Sequence, residues 1–404
     1  MSASGNTSQL QITMTTRGDR HGLFLCNAVG FLFVFKICAT YVFFRSDPQF
    51  GTAVRVAVTL TLLLVVIGYS LLSPSPSALP VRGKPLRWIA IYLCLAALSL
   101  LWTTASSLAV AASYWVATAS EVIIVCLLLR YPGIEENTRG IMRGFIVGVI
   151  VLAIVAWAAP AGDDMRLGNE DLLHPNVIGF EFAVGTLMAG YLAERTKAWI
   201  FVAVGLGVTM VRTLSKGTIV AFLFAGLYYL LRGLKISRKA RVWIGIASSL
   251  VLMSFWGLLE AYFDTYAQGN NLETLTGRTY IWSQSLEIGM ERPWFGHGFD
   301  SFRWIFPPFG GFLPVHAHNE MIQQFFAYGI AGIVVVSCLY WAFYRQVCIS
   351  ANTSLKALAM AILILALVRG LVDTDQFELG FPLWLMTVFS ISLSNFRSKD
   401  RSVA

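Results

Sequence analysis

Charged residues are scarce in this sequence, and their scarcity excludes an ordinary soluble protein. Asp, Glu, Lys and Arg make up 13% of the 404 residues, whereas soluble globular domains carry about 25%. Hydrophobic residues make up 56%, and the mean hydropathy is +0.67. The net charge of +8 does not indicate nucleic acid, because the cytoplasmic loops of membrane proteins collect Lys and Arg. We therefore expect membrane lipids, and no nucleic acid, as partners.

Disulfide patterns, metal-binding cysteine spacings, a cleavable signal and internal repeats are also missing. The six cysteines fall in apolar segments or near their ends, outside the predicted external loops, so we expect no disulfide framework. The Ser- and Thr-rich N-terminus leads directly into a long apolar segment. No small-residue cleavage pattern follows it, so we expect no cleavable signal peptide.

Long apolar runs recur along nearly the whole chain. A helix that crosses a bilayer needs roughly 20 mostly apolar residues, because only a helix satisfies its backbone polar groups in lipid. The runs predict an all-α polytopic membrane protein with about twelve transmembrane helices. The predicted spans are 22–44, 52–72, 88–104, 108–129, 141–159, 177–193, 198–211, 217–232, 242–259, 320–344, 355–372 and 377–394.

The distribution of Lys and Arg orients these spans. With the N-terminus inside, twenty of the 30 basic residues lie on the inner side, which is the bias expected of cytoplasmic loops. Both termini are then cytoplasmic. The sequence thus divides into residues 1–259 with spans one to nine, residues 260–319 as a large external loop, and residues 320–404 with spans ten to twelve and a cytoplasmic tail.

The external loop 260–319 is far longer than a connection needs, and loops of that size are usually functional or disordered. It contains three tryptophans and several phenylalanines, which argue against disorder. His318 stands where the loop re-enters the membrane, and histidine suits proton transfer because its ordinary pKa is near 6.5. Three other histidines on the same side are equally well explained as ordinary solvated residues: His174, His297 and His316.

Cationic and acidic side chains accompany His318 on the predicted outer side. Arg278 follows a glycine and precedes an amphipathic stretch, Thr279–Glu291, while Arg212 and Lys216 flank a tight turn. The apolar residues of that stretch recur at helical spacing: Trp282, Leu286, Gly289 and Met290. A single cation at a membrane boundary often only reaches toward headgroups, but three on one loop system fit a diphosphate better. Asp373 and Asp375 form a short D-x-D, a weak signal for a divalent metal. Within the spans, Lys36 and Glu121 form a predicted ion pair, because buried charges are costly unless paired.

Three motifs resemble one known family. The stretch H-N-E-M-I-Q-Q-F-F-A-Y-G has nine residues between Asn319 and Gly329. It resembles the His-Asn-x9-Gly motif of the O-antigen ligase family. The stretch Thr276–Phe302 is similar to the large periplasmic loop of the same family. The motif H-P-N-V-I-G (His174–Gly179), at the end of the predicted external segment 160–176, also resembles that family.

The resemblance implies an inverting, metal-independent membrane glycosyltransferase with a GT-C-like fold and no cofactor, located in the bacterial inner membrane. The donor would be a glycan on undecaprenyl diphosphate, and the acceptor would be lipid A–core or another glycan. His318 would correspond to the catalytic histidine, supported by Asn319, His174 and Gly329, and Arg278 to an arginine that binds the diphosphate. Where the family has a second arginine this chain has Lys216, so either Lys216 or Arg212 could fill that role.

Two functions within this class remain open from the sequence. A ligase transfers finished polymer to lipid A–core, whereas a polymerase transfers the growing chain to the next lipid-linked repeat. A flippase or transporter of lipid-linked saccharides is the alternative from another class. It would favour inverted repeats and spans broken at matched positions, which the sequence does not show.

Overall fold

The computed structural model describes residues 5–44, 48–73, 83–131, 133–159, 166–168, 173–233, 275–308, 314–351, 353–375 and 377–401, with the single residues 239, 242 and 246. Over these ranges the chain forms helices and connecting loops and no β-strand. The helices are α1 (Gly5–Phe43), α2 (Pro48–Leu72), α3 (Lys84–Ser99), α4 (Leu108–Leu128), α5 (Ile134–Ala158), α6 (Pro175–Leu192), α7 (Trp199–Arg212), α8 (Lys216–Arg232), α9 (Leu275–Gly289), α10 (Phe302–Ile305), α11 (Glu320–Cys348), α12 (Thr353–Gly370) and α13 (Leu383–Arg401).

The helical layout predicted from the apolar runs is confirmed. Each predicted span on described residues coincides with a helix, while 242–259 lies outside them apart from 242 and 246. Among the described residues, five helices are long and apolar enough to cross a membrane: Arg20–Phe43, Phe50–Leu72, Leu108–Leu128, Ile134–Ala158 and Glu320–Cys348. The protein is therefore an all-helical polytopic membrane protein, and the number twelve stays a prediction.

The chain forms two compact units, and the first comprises Met1–Val81 and Ser120–Leu214. Within it α1 packs against α5, and α6 packs against α5 and α7. The backbones of α1 and α5 approach so closely that a Cβ on Gly144 would meet the Asn27 carbonyl oxygen, so glycine is required there. Lys36 and Glu121 form the predicted ion pair.

The second unit comprises Arg82–Ala119 and Ser215–Ala404. In this unit α11 packs against α3, α9, α12 and α13, and α8 packs against α12. It contains most of the predicted site residues: Lys216, Arg278, His318, Asn319 and Gly329. The predicted division into 1–259, 260–319 and 320–404 stays a prediction, since residues 247–274 lie outside the described part of the chain.

Helix α11 is broken at Gly329, whose backbone has φ 63° and ψ −153°. A Cβ at this residue would lie 2.5 Å from the Pro293 carbonyl oxygen, so only glycine fits. The loop before α10 fills the break, because the N–H groups of His297 and Gly298 donate to the Phe326 and Ala327 carbonyls at 3.0 and 2.8 Å. The N–H of Ile330 donates to the Pro293 carbonyl at 2.8 Å. The gap in the helix is thus satisfied by protein, as a bilayer requires.

Two sequence expectations about individual helices are corrected. Helix α13 begins at Leu383, not at 377, because the Asp375 carboxylate accepts from the N–H groups of Phe377 and Glu378 and holds them in a turn. The predicted amphipathic helix at 279–291 exists as α9, but its buried face differs. Leu286 and Met290, expected on the apolar face, are exposed.

Candidate functional site

His318 lies at the start of α11, in a backbone conformation that places its side chain in a loop rather than on the helix. Its φ is 50°, in the left-handed region that non-glycine residues seldom adopt. The next residue caps the helix, because the Asn319 Oδ1 accepts from the Ile322 N–H at 3.1 Å, as an N-cap asparagine does. The imidazole is therefore fixed at one end of a span.

The His318 ring faces a buried ion pair. Its Nδ1 lies 3.4 Å from Oδ1 of Asp373, whose other oxygen accepts from Nη2 of Arg369 at 2.8 Å. Asp373 and Arg369 are both buried, at 5% and 4% exposure. This arrangement leaves the Nε2 of His318 as the ring nitrogen directed away from Asp373 when Nδ1 carries the proton.

The carboxyl of Asp373 stays ionised. Burial raises its pKa, but the Arg369 guanidinium and the hydrogen bond with His318 outweigh burial, so the pKa lies well below the usual value of 3.8. A buried carboxylate is stable only with such partners. The result is a fixed negative charge beside the imidazole at neutral pH.

The loop that carries Asp373, residues 371–375, also receives two other predicted site residues. The Nδ2 of Asn319 donates to the Leu371 carbonyl at 3.0 Å. The Nη1 of Arg278, on α9, donates to the Val372 carbonyl. The 371–375 loop therefore brings Arg278 together with His318 and Asn319, although Arg278 lies about 40 residues before them in the chain.

The structure places the other predicted residues as follows. Lys216 begins α8, and a Cβ on the adjacent Gly217 would lie 2.7 Å from the Val372 side chain. Arg212 belongs to the first unit, where its guanidinium lies over the Trp157 ring. His174 is also in the first unit and caps α6 through its Nδ1, which accepts from the Asn176 N–H at 3.3 Å.

The remaining histidines of the external segment have local contacts. His297 is buried, and its Nε2 lies 2.9 Å from the Ile288 carbonyl oxygen, which indicates a structural role. The Nδ1 of His316 accepts from the His318 N–H at 3.2 Å and so supports the unusual backbone of His318. Among the described residues, His316, His318 and Asp373 also form a group whose ligand atoms lie within 4.8 Å of one another.

Asp373 of this group is already paired with a cation. It accepts from Arg369, and Arg278 donates to the carbonyl of Val372, the residue before Asp373. The Arg369 guanidinium opposes a further positive charge at Asp373. The two carboxylates of the D-x-D have separate partners. The Asp375 oxygen accepts from backbone N–H groups, while Asp373 contacts His318.

Sequence reasoning missed the role of Asp373 and Arg369 as partners of His318. The sequence predicts Asp373 only as half of a D-x-D and gives no role to Arg369. One signal was present, since the two residues are four apart in sequence, the spacing at which oppositely charged side chains meet on a helix. Their contact with His318 depends on the packing of α12 against α11, which spacing does not reveal.

The fold and this site define a polytopic, all-helical membrane protein with a polar, charged site at one end of a span. Residues 199–337 match the family model described as O-Antigen ligase. That stretch includes His318 and Arg278, whereas Asp373 and His174 lie outside it.

Two curated proteins are similar to this chain. "Exopolysaccharide production protein ExoQ" of Rhizobium meliloti is 23% identical over 291 residues, 64% of this chain and 65% of that protein. "Putative polysaccharide ligase" of Rickettsia conorii is 23% identical over 127 residues, 28% of this chain and 31% of that protein. The chain thus spans less than two thirds of the length of each. These findings confirm the resemblance to the O-antigen ligase family. Neither relative is named as a flippase.

Proposed function

We propose that this chain is an inner-membrane glycosyltransferase with a GT-C-like fold. It transfers a glycan from undecaprenyl diphosphate to a hydroxyl group of lipid A–core or of another glycan, on the periplasmic face. The observation that carries this proposal is the convergence of His318, Asp373 and Arg278 on the 371–375 loop, at one end of a span. The match of residues 199–337 to the O-antigen ligase family model supports it.

His318 acts as the general base. The acceptor hydroxyl attacks the anomeric carbon of the donor sugar and gives its proton to Nε2 of His318, while Nδ1–H faces Asp373. The new C–O bond forms as the bond to the diphosphate oxygen breaks, so the anomeric configuration inverts. The ionised Asp373 orients the ring and stabilises the imidazolium that results.

Arg278 stabilises the leaving diphosphate. Its guanidinium already donates to the Val372 carbonyl in the 371–375 loop, and Arg binds phosphate oxygens in a bidentate manner. Lys216 is the better second cation than Arg212, because its neighbour Gly217 packs on Val372 in the same loop. Two fixed cations near the leaving group provide the stabilisation that a metal would otherwise supply, so chelation with EDTA is expected to leave the transfer rate unchanged.

The test is complementation of a deletion strain and transfer by the purified protein. His318→Ala and Arg278→Ala are expected to lower kcat on the order of 10²-fold or more. Matched controls are His21→Ala, an exposed histidine on α1, and Arg292→Ala, an exposed arginine after α9. Wild-type surface glycan in the His318→Ala strain, with normal protein level, would refute the proposal.

The same deletion strain separates the two activities of the family. Loss of a polymerase leaves a single repeat unit on the core or depletes exopolysaccharide. Loss of a ligase leaves bare core, with polymer retained on its carrier. The name of the Rhizobium relative refers to exopolysaccharide production and that of the Rickettsia relative to a ligase, so both activities remain within the proposal.

A further inference from the structure

A small polar cavity lies in the second unit, close to the His318 site. Its volume is about 10 Å³, which is enough for one water-sized group. Its walls come from the first turns of α11, from residues 299–302 and from the segment after the 371–375 loop. No residue assigned to the proposed reaction lines it.

Two buried polar atoms at this cavity have no hydrogen-bond partner among the described residues. They are Oγ of Ser301 and Oε1 of Gln324, on residues exposed by 1% and 2%. The rest of the Gln324 amide is used, because it hydrogen-bonds to Tyr92. An unpaired buried polar atom destabilises the fold, so the two atoms indicate a group that binds in the cavity.

The cavity shares its walls with the segments that hold the proposed base. Gln323, which lines it, accepts from the Ala317 N–H at 2.8 Å, and Ala317 directly precedes His318. Phe377 and Glu378 line another wall of the cavity. Their backbone N–H groups donate to Oδ1 of Asp375 at 2.9 and 3.2 Å. Two walls of the cavity are therefore hydrogen-bonded to residues that neighbour the site: one to Ala317 and the other to Asp375.

The chemistry of the cavity selects a hydroxyl group. One hydroxyl can donate to the Gln324 carbonyl oxygen and accept from the Ser301 hydroxyl, which pairs both atoms at once. The carboxylates Asp300 and Glu378 also line the cavity and would repel a diphosphate. An apolar chain would leave the polar atoms unpaired.

We propose that this cavity binds one hydroxyl group of the acceptor sugar and so positions the acceptor for His318. This inference rests on the proposed function. It assigns the acceptor rather than the donor, because the base must reach the attacking hydroxyl and the cavity is tied to the residue before that base. The diphosphate of the donor is assigned to Arg278 instead.

The experiment uses Ser301→Ala in the full-length protein. Because Ser301 Oγ has no hydrogen-bond partner among the described residues, its removal is expected to leave the melting temperature within error of wild type. The acceptor KM is expected to rise about 2- to 10-fold, the value of one hydrogen bond, with kcat and donor KM unchanged. Ser350→Ala is the matched control, since Ser350 at the far end of α11 is also buried with an unpartnered Oγ, and it is expected to behave as wild type.

A binding measurement makes the result independent of turnover. The probe is the oligosaccharide repeat released by mild acid from the lipid-linked precursor of the same cell, titrated by calorimetry without donor. Ser301→Ala is expected to weaken its binding by the same factor. Unchanged acceptor KM and unchanged binding would overturn the inference. A lowered melting temperature with unchanged acceptor KM would overturn it too, and would show a structural water only. If wild type binds the probe but transfers nothing, the proposed function fails and the subsite stands.

Discussion

At the scale of single residues, the site combines a strained histidine with a buried carboxylate. His318 has a φ of 50°, and such a conformation costs on the order of 1–3 kcal/mol and persists only where its surroundings impose it. Three contacts do so, from His316, Asp373 and the Asn319 cap. Strain of this kind concentrates at functional sites, which agrees with a catalytic role for the imidazole.

Replacing Asp373 with Asn tests the proposed orientation of the imidazole. The amide keeps the shape of the side chain but removes the charge that favours the Nδ1–H tautomer and the imidazolium. We expect kcat to fall on the order of 10²-fold with both KM values nearly unchanged, measured by transfer kinetics in nanodiscs. Glu287→Gln, at an exposed carboxylate on α9, is the control and should retain wild-type kinetics. An equal loss in both variants would contradict the assignment.

The same residue makes a prediction about stability and pH. The pKa of the Asp373 carboxyl is lowered in the folded protein, so its ionised form stabilises the fold above the unfolded pKa of 3.8. That contribution is lost as the pH falls below this value toward the folded pKa. Asp373→Asn is expected to be about 2 kcal/mol less stable than wild type at pH 7. The difference should shrink as the pH falls below 4, as followed by thermal unfolding in detergent. A difference that is constant with pH would contradict it.

Residue types predicted part of this site and missed the rest. His318, Asn319 and Arg278 were found because their types and spacing suit proton transfer and phosphate binding. Asp373 and Arg369 were not assigned to it, since their contact with His318 arises only when α12 and its following loop pack against α11. Sequence spacing carries no information about which helices are neighbours in space. His174 illustrates the opposite limit, because its local sequence H-P-N already encodes the helix cap that the structure shows.

At the scale of helices, the central feature is the break in α11. The carbonyls of Phe326 and Ala327 would be unpaired in lipid, and the loop before α10 pairs them instead. Gly329 makes this possible, since its φ of 63° is open to glycine without strain. The break therefore connects the external segment firmly to the helix that carries Asn319 and follows His318.

Gly329→Ala is predicted to disrupt the hydrogen bonds between the loop before α10 and the break in α11. The new Cβ would lie 2.5 Å from the Pro293 carbonyl oxygen, and the positive φ would be strained. We expect a loss of about 2 kcal/mol or more in stability and a loss of transfer activity, seen in thermal unfolding and in complementation. Gly205→Ala on α7 is the control, because no atom lies within 4 Å of its Cβ position. It should equal or exceed wild-type stability, and comparable losses in both variants would contradict the prediction.

Helix positions followed from the sequence more closely than helix faces did. Apolar runs indicate where a helix can exist, and every predicted span on described residues overlaps a helix. They do not fix which side is covered, and on α9 Ile281 and Ser285 are buried while Leu286 is exposed. The predicted start of α13 is too early because Phe377, Leu379 and Phe381 extend the apolar pattern ahead of the helix. The Asp375 cap and Pro382 determine where the helix begins.

At the scale of the whole molecule, the proposed reaction depends on which side of the membrane the site occupies. Donor glycan carried by undecaprenyl diphosphate would reach His318 only if the external segment faces the periplasm. The positive-inside bias predicts that side, and no contact within the protein can replace it as an argument. Topology is therefore the property on which the function depends most directly.

Cysteine labelling tests this topology. The six native cysteines are replaced, and Glu291→Cys, exposed after α9, is compared with Lys197→Cys, exposed between α6 and α7. A membrane-impermeant maleimide should label Glu291→Cys in intact spheroplasts, whereas Lys197→Cys should react only after the inner membrane is lysed. Because the predicted loops alternate sides, the two positions report opposite faces of one protein. Labelling in the reverse order would place His318 in the cytoplasm, where exported carrier-bound glycan is absent, and the proposed reaction could not take place there.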